Sequence, residues 1–167
     1  LILDRDLFRL FEQRADDLLA LEQELTTEVV KRSIVIKARV VSEDERETKG
    51  RRTLLNYGHT IGHALEAASG YGCYLHGEAV SIGMVVAARL GNLLGITPHR
   101  VLERQMRVLE AFGLPTTFNV GNMEHVLNAM TRDKKVSRGV VTWVLLENVG
   151  KAVTYSDVSE EMVRKAV

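Results

Sequence analysis

The stretch His76–Leu94 reads HGEAVSIGMVVAARLGNLL, and it decides how the chain folds. It is apolar nearly all round between Ala79 and Ala88, which predicts an α-helix that is buried on most of its sides. Small residues recur in it at four-residue spacing, namely Ala79, Gly83, Ala87 and Gly91. Such a face lets the backbone of another helix approach closely. We therefore expect this helix to lie at the centre of a helical bundle.

Helical patterns precede this central segment. From Asp4, a predicted N-cap, to Leu25, apolar residues recur at the spacing of one or two amphipathic helices. A second helix is predicted from Thr27 to about Glu45 and a third from about Thr53 to Ser69. The second helix carries one stripe made of Val30, Ile34, Lys37 and Val41. This stripe is apolar except for Lys37.

The segments after the central helix predict further helices and one hairpin. Helix starts are predicted at Thr97, which precedes Pro98, at Asn122 and at Ser159. The run Val140–Leu146 is rich in β-branched residues and ends at a turn, so it predicts a strand with residues 151–155 as its hairpin partner. The predicted fold class is mainly α, a bundle of about six to eight helices with one small β-hairpin in a single domain, 1–167.

The composition narrows the class of protein. The 167 residues suit one domain, and the 22 Lys+Arg balance the 22 Asp+Glu, so no basic excess indicates a nucleic-acid or membrane surface. No apolar run reaches the ~20 residues of a membrane span. A single cysteine, Cys73, makes no internal disulfide, which favours a reducing, cytoplasmic environment. The chain starts without Met, and we expect it to be part of a longer protein.

One face of the predicted third helix is polar. Five residues lie within about 40° of one line at 100° per residue: Arg52, Asn56, His59, His63 and Glu66. This face meets either solvent or a cleft. Arginine, asparagine and histidine bind oxyanions, coordinate metals and move protons near neutral pH, whereas solvent faces are usually built from Lys, Glu and Gln. The composition therefore favours a cleft.

His76 adds a third imidazole at the start of the central helix. Together His59, His63 and His76 lie at the ends of two consecutive helices, and three protein ligands are typical of a catalytic zinc. His59 and His63, at i and i+4, could share one ion. Residue 60 is Thr, which excludes the H-E-x-x-H pattern of metalloproteases, and no P-C-x-x-C follows His76 as it does in zinc deaminases.

The segments 54–66, LLNYGHTIGHALE, and 75–80, LHGEAV, closely resemble the motif pair of the 3-dehydroquinate synthase family. Lys37, Arg52 and the segment Asp133–Lys135 before a strand are also similar to that family. The resemblance covers essentially the whole chain. It implies the C-terminal, helical half of a two-domain α/β + α enzyme, with the N-terminal, NAD-binding domain and every cofactor-binding residue for NAD outside this chain.

By this resemblance the full-length protein is a lyase of the shikimate pathway, which leads to chorismate and the aromatic amino acids. It would convert 3-deoxy-D-arabino-heptulosonate 7-phosphate to 3-dehydroquinate and phosphate, with NAD and a divalent metal, Zn²⁺ or Co²⁺, and act as a homodimer. The resemblance implies His59 and His76 as metal ligands. The third ligand would be a carboxylate upstream of this chain, so the chain alone is expected to be inactive.

The resemblance also implies roles for the other polar residues. His63 would handle a proton near the substrate, and Lys37 and Arg52 would act with it as catalytic residues. Substrate binding is implied for Lys37, Arg52, Asn56, His63, Lys134 and Lys135. Lys134 and Lys135 are alternatives for the phosphate. Competing interpretations are another sugar phosphate cyclase, of the 2-deoxy-scyllo-inosose or epi-valiolone synthase type, a metal-dependent polyol dehydrogenase, and a helical interaction domain without activity.

Overall fold

The computed structural model describes residues 2–46, 48, 50–70, 72–118, 123–136 and 141–167, and only the backbone of residues 123 and 131–136. The α-helices within these ranges are α1 (Arg5–Gln13), α2 (Ala15–Leu19), α3 (Gln23–Glu43), α4 (His59–Ala68), α5 (His76–Leu93), α6 (His99–Ala111), α7 (Met123–Val136) and α8 (Glu160–Ala166). A 3₁₀ helix, Arg52–Asn56, precedes α4, and an antiparallel hairpin pairs β1 (Trp143–Asn148) with β2 (Lys151–Tyr155). The predicted mainly α fold with one hairpin is confirmed. No described helix has the length and apolar character needed to cross a membrane.

Helix α5 lies at the centre of the bundle, as the sequence predicts. It packs against α4, α6, α8 and the buried strand β1. Most sides of this helix are buried. Five of its residues are fully inaccessible to solvent, namely Ala79, Ile82, Val85, Ala88 and Leu90. Because these four neighbours of α5 contribute to one core, the position of α5 sets their positions.

Glycine residues allow the backbones of α4 and α5 to come into direct contact. A Cβ added at Gly83 would lie 1.9 Å from the carbonyl oxygen of Gly58, and one added at Gly62 would lie 3.2 Å from the Cα of Val80. Gly58 itself has φ +81°, a conformation that favours glycine. The predicted small-residue face of α5 is thus where the start of α4 lies against it.

The predicted third helix is two helices in the structure. Residues Arg52–Asn56 form the 3₁₀ helix, and the left-handed backbone of Gly58 interrupts it before α4 begins at His59. The prediction of one continuous helix from Thr53 is therefore wrong. A positive φ changes the chain direction, so Arg52 and Asn56 do not share the helical face of His59, His63 and Glu66.

Helix α3 carries the predicted stripe on an exposed face, since Val30 is 51% and Ile34 62% exposed and Lys37 is also exposed. The buried residues of α3 are Leu25 and Val40, near its two ends. The helical period is correct, but the described residues place no element over the middle of this face.

The predicted caps are confirmed at two positions and wrong at one. The Asp4 carboxylate accepts from the backbone N–H groups of Asp6 and Leu7 at 2.9 Å, and the Ser159 hydroxyl accepts from Met162 N at 3.3 Å. Thr97 does not cap α6, which begins at His99 with Pro98 as its N-cap. Its hydroxyl instead occupies the space that a side chain at position 91 would fill, 2.0 Å from that Cβ position. Asn122 lies outside the described residues.

We expect Gly83→Ala to destabilise the fold by about 3 kcal/mol, because the new methyl group overlaps the Gly58 carbonyl and the two helices must move apart. Urea denaturation followed by circular dichroism measures this change.

Gly77→Ala, on the same helix, is the matched control. A Cβ there meets nothing within 4 Å, so the substitution should stabilise the helix by about 0.5–1 kcal/mol. Equal stabilities of the two variants would show that the contact at Gly83 is not a constraint.

Candidate active site

Three imidazoles converge where α4 and α5 begin. His59 is the first residue of α4, His63 lies one turn further on, and His76 is the first residue of α5. The ring centroids are 5.3 Å apart for His59 and His63, 5.4 Å for His59 and His76, and 5.9 Å for His63 and His76. The cleft interpretation of the polar face is therefore favoured, because solvated histidines on separate helices have no reason to gather.

Two of the imidazoles are held through their Nδ1 atoms. His59 Nδ1 lies 3.1 Å from the carbonyl oxygen of Tyr57, and His76 Nδ1 lies 3.2 Å and 3.3 Å from the two carboxylate oxygens of Glu66. Both partners are acceptors, so each neutral ring donates its proton from Nδ1. The lone pair of each ring is then on Nε2, the arrangement found when imidazole ligates a metal and its other nitrogen is hydrogen-bonded.

Tyr57, whose carbonyl accepts from His59, is held by hydrogen bonds in the core. Its hydroxyl donates to Gln105 Oε1 at 2.5 Å, and Gln105 Nε2 donates to the carbonyl oxygen of Met84 at 2.9 Å. Both Tyr57 and Gln105 are buried, and burial raises the pKa of the Tyr57 phenol well above its usual range. The phenol therefore stays neutral and acts as an anchor for the backbone carbonyl that accepts from His59.

The environment of His59 favours a neutral imidazole. Desolvation by burial lowers its pKa, and the nearby His63 and His76 lower it further, against the opposing effect of the Tyr57 carbonyl. His59 is half-buried and stands at a helix N-terminus, where a positive charge is disfavoured. A neutral ring is the form that binds a metal.

The donor set suits a transition metal. Among the described residues, His63, Glu66 and His76 each offer a ligand atom, and these atoms lie within 4.8 Å of one another. Imidazole nitrogen and carboxylate oxygen are ligands of zinc and of cobalt. His59, predicted as a ligand together with His76, lies in the same group of rings. The chemistry of these residues therefore fits the metal that the sequence implies, and the choice of His59 and His76 as its ligands stays a prediction.

The residues predicted to bind substrate are only partly brought together. Arg52 and Asn56 line a cavity of about 220 Å³ at the 3₁₀ helix. The buried carboxylate of Asp44 shapes this cavity by accepting from Arg51 N at 2.8 Å and Arg52 N at 3.4 Å. The 3₁₀ helix that lines this cavity directly precedes α4, the helix that carries His59 and His63.

The predicted lysines lie on two different helices. Lys37 is exposed on α3, a helix that contacts the 3₁₀ helix. Lys134 and Lys135 belong to the last turn of α7, a helix that packs against α4, and their side chains lie outside the described residues. The roles of all three in substrate binding stay predictions.

Glu66 is a residue of the site to which the sequence assigns no role. It lies on the predicted polar face, three residues after His63, yet helical spacing alone does not show what it contacts. Its side chain is 17% exposed, and the structure pairs it with His76 of the next helix. The signal that could have found it is the occurrence of a carboxylate on a face that otherwise carries imidazoles.

A family model described as 3-dehydroquinate synthase C-terminal matches residues 1–136. The chain belongs to this family. Among its relatives, the 3-dehydroquinate synthase of Rhodopirellula baltica is 43% identical over 164 residues, which are 98% of this chain and 44% of the relative. That of Caldanaerobacter subterraneus is 45% identical over 99% of this chain and 46% of the relative. The chain thus spans less than half the length of these relatives.

Solved structures show the same architecture. A 2-epi-5-epi-valiolone synthase from Streptomyces hygroscopicus, with NAD⁺ and Zn²⁺ bound, superposes with a TM-score of 0.88 at 26% identity, over 99% of this chain and 46% of that one. A 2-deoxy-scyllo-inosose synthase, in complex with carbaglucose-6-phosphate, NAD⁺ and Co²⁺, has a TM-score of 0.72 at 26% identity, over 86% and 40% of the two chains. The resemblance that the histidine motifs indicate is confirmed for this family and its relatives.

The lowered pKa of His59 predicts how stability depends on pH. As the pH falls through about 6.5, an unfolded histidine takes up a proton that the folded His59 takes up only at lower pH. The unfolded state then binds more protons, so the free energy of unfolding of the metal-free chain should decrease between that pH and the lower pKa of folded His59. Urea denaturation at a series of pH values, after removal of metal with EDTA, measures this decrease.

The decrease should be smaller in His59→Gln. His99→Gln is the control, because His99 is exposed on α6, and it should keep the full decrease. Identical pH profiles for the wild type and His59→Gln would contradict the prediction.

Proposed function

We propose that the chain is the metal- and substrate-binding part of a 3-dehydroquinate synthase. The observation that carries this proposal is the meeting of His59, His63 and His76 at the starts of two packed helices, in a chain of that family. The full-length protein would convert 3-deoxy-D-arabino-heptulosonate 7-phosphate to 3-dehydroquinate and phosphate. It would need NAD and an N-terminal domain that binds it, and would act as a homodimer in the cytoplasm.

His59 and His76 would hold the metal through Nε2, with Nδ1 of each ring already donating to Tyr57 O and to Glu66. When bound, Zn²⁺ or Co²⁺ supplies Lewis acidity toward the substrate hydroxyl that NAD oxidises. The two neutral imidazoles leave the positive charge of the ion largely uncompensated, which favours an anionic oxygen at this place. A third ligand would come from a carboxylate of the full-length protein.

The remaining side chains would bind and orient the substrate. Arg52, at the cavity of the 3₁₀ helix, suits the substrate carboxylate, because a guanidinium forms two parallel hydrogen bonds with it. Asn56 offers both donors and acceptors to hydroxyl groups. Lys37 would add a positive charge from α3, and Lys134 or Lys135 would bind the phosphate. His63, with an exposed imidazole beside the other two, would hold or move the substrate proton.

Another sugar phosphate cyclase is the second candidate, and the TM-score of 0.88 with a valiolone synthase favours it. The identities of 43% and 45% with 3-dehydroquinate synthases, against 26% with the cyclases of known structure, favour the first. The turnover of the heptulosonate phosphate, glucose 6-phosphate and sedoheptulose 7-phosphate by the full-length protein separates them. Exclusive turnover of either of the last two would contradict the proposal.

Substitution of the histidines tests the assigned roles in the full-length protein. His59→Ala should remove the metal and the activity together, because it deletes a ligand. His63→Ala should keep the metal and lower turnover by about 10²–10⁴-fold, the usual contribution of a group that transfers a proton. Metal content after dialysis and the rate of dehydroquinate formation are the two measurements.

His99→Ala is the control for both, since His99 is exposed on α6 and pairs with Glu103 at 3.6 Å. It should change neither metal content nor turnover. Equal loss of metal in His59→Ala and His63→Ala would mean that these two residues share the ion.

A further inference from the structure

The Glu66 carboxylate and the His76 imidazole form a contact across two helices. Glu66 lies in the second turn of α4, and His76 opens α5 ten residues later. Both carboxylate oxygens lie close to the same nitrogen, at 3.2 Å and 3.3 Å from Nδ1. The side chain of His76 is 58% exposed and that of Glu66 17%. The contact therefore joins a largely buried carboxylate to an exposed imidazole.

We propose that Glu66 is a positioning residue, which accepts the Nδ1 proton of His76 and so directs the Nε2 lone pair into the group of imidazoles. A carboxylate is only an acceptor, so a neutral His76 meets it with Nδ1–H and leaves Nε2 unprotonated. The hydrogen bond also fixes the plane of the ring. The contribution of this contact to metal binding rests on the proposed function, whereas the tautomer does not.

Glu66 has a backbone counterpart in the same site. The carbonyl oxygen of Tyr57 accepts from His59 Nδ1 at 3.1 Å, as the carboxylate accepts from His76. In both rings a hydrogen bond from Nδ1 leaves the lone pair on Nε2. The acceptor is a backbone carbonyl for His59 and a side-chain carboxylate for His76. The backbone acceptor cannot be deleted by substitution, so Glu66 is the position at which the effect of the acceptor on the tautomer can be tested. A carboxylate acceptor also raises the basicity of the imidazole as a ligand.

The alternative role for Glu66 is that of a direct metal ligand, since one of its oxygens lies within 4.8 Å of a donor atom of His63 and of one of His76. The short distance to Nδ1 argues for the hydrogen bond. If Glu66 and His76 Nδ1 both bound one ion, that ion would replace the Nδ1 proton and Nε2 would take no part in the site. With Nδ1 protonated toward Glu66, Nε2 keeps the lone pair that can bind the ion.

Long-range ¹H–¹⁵N correlation NMR on the metal-free chain at about pH 8 reads the tautomer directly, since ordinary imidazoles are neutral there. In the wild type, His76 should show a protonated Nδ1 and an unprotonated Nε2. In Glu66→Leu, which has a similar volume and no acceptor, the Nδ1–H signature should be lost. Glu66→Gln retains a carbonyl acceptor and should restore it in part.

Glu103→Leu is the matched control, because Glu103 also pairs with a histidine, His99, but outside the site. It should leave the signals of His76 unchanged. A wild-type His76 protonated on Nε2 would overturn the proposal whatever the variants do, and so would an Nδ1–H signature that persists in Glu66→Leu.

A Co²⁺ titration of the full-length protein tests the consequence for the metal. Glu66→Leu should weaken Co²⁺ binding about 10–100-fold, the usual effect of losing a partner of a ligating histidine. The positions of the visible absorption bands should not change, since the ligands stay the same. A shift of those bands would overturn the proposal by showing that the carboxylate is itself a ligand. Failure of the wild type to bind Co²⁺ beside a confirmed Nδ1–H tautomer would instead contradict the metal centre of the proposed function.

Discussion

The contact between the Gly58 carbonyl oxygen and the Cα of Gly83 is the constraint on which the site depends. The same oxygen accepts the first helical hydrogen bond of α4, from Gly62 N at 3.0 Å, so it is tied to α4 and pressed against α5 at once. Any side chain at position 83 would separate the two helices. Their backbones can approach this closely only because both positions are glycine, and this approach sets the distance between the histidines that open the two helices.

The same junction connects the core to the site through Tyr57. This residue directly precedes Gly58, and its hydroxyl reaches Gln105 of α6, whose amide in turn reaches the carbonyl of Met84 in α5. The segment between the 3₁₀ helix and α4 is thereby joined to α5 and α6 at one buried hydrogen-bonded group, where an unpaired amide or phenol would be costly. The carbonyl of Tyr57 is held in place by this group and accepts from His59. The orientation of that imidazole thus depends on the buried side chains of Tyr57 and Gln105.

The sequence predicts the elements of this arrangement better than their junctions. Helix α5 and the hairpin follow from local patterns of apolar and β-branched residues, which is why they could be predicted. The interruption at Gly58 could not be predicted. The three- and four-residue spacings of the sequence continue across Gly58, and they do not show that its φ is positive. The exposure of the α3 stripe could not be predicted for another reason. Val30 and Ile34 show that a helix is amphipathic, but the periodicity does not show whether another element covers the apolar face.

The same distinction explains which parts of the candidate site could be predicted. Spacings of three and four place His59, His63 and Glu66 on one face of α4, because these rules hold within one helix. The partner of Glu66 is on α5, beyond a loop, and its position depends on how α4 lies against α5. Helix spacing contains no information on that packing. Gly58 and Gly83 have no chemistry of their own, yet they belong to the site, because they set the separation at which Glu66 meets His76.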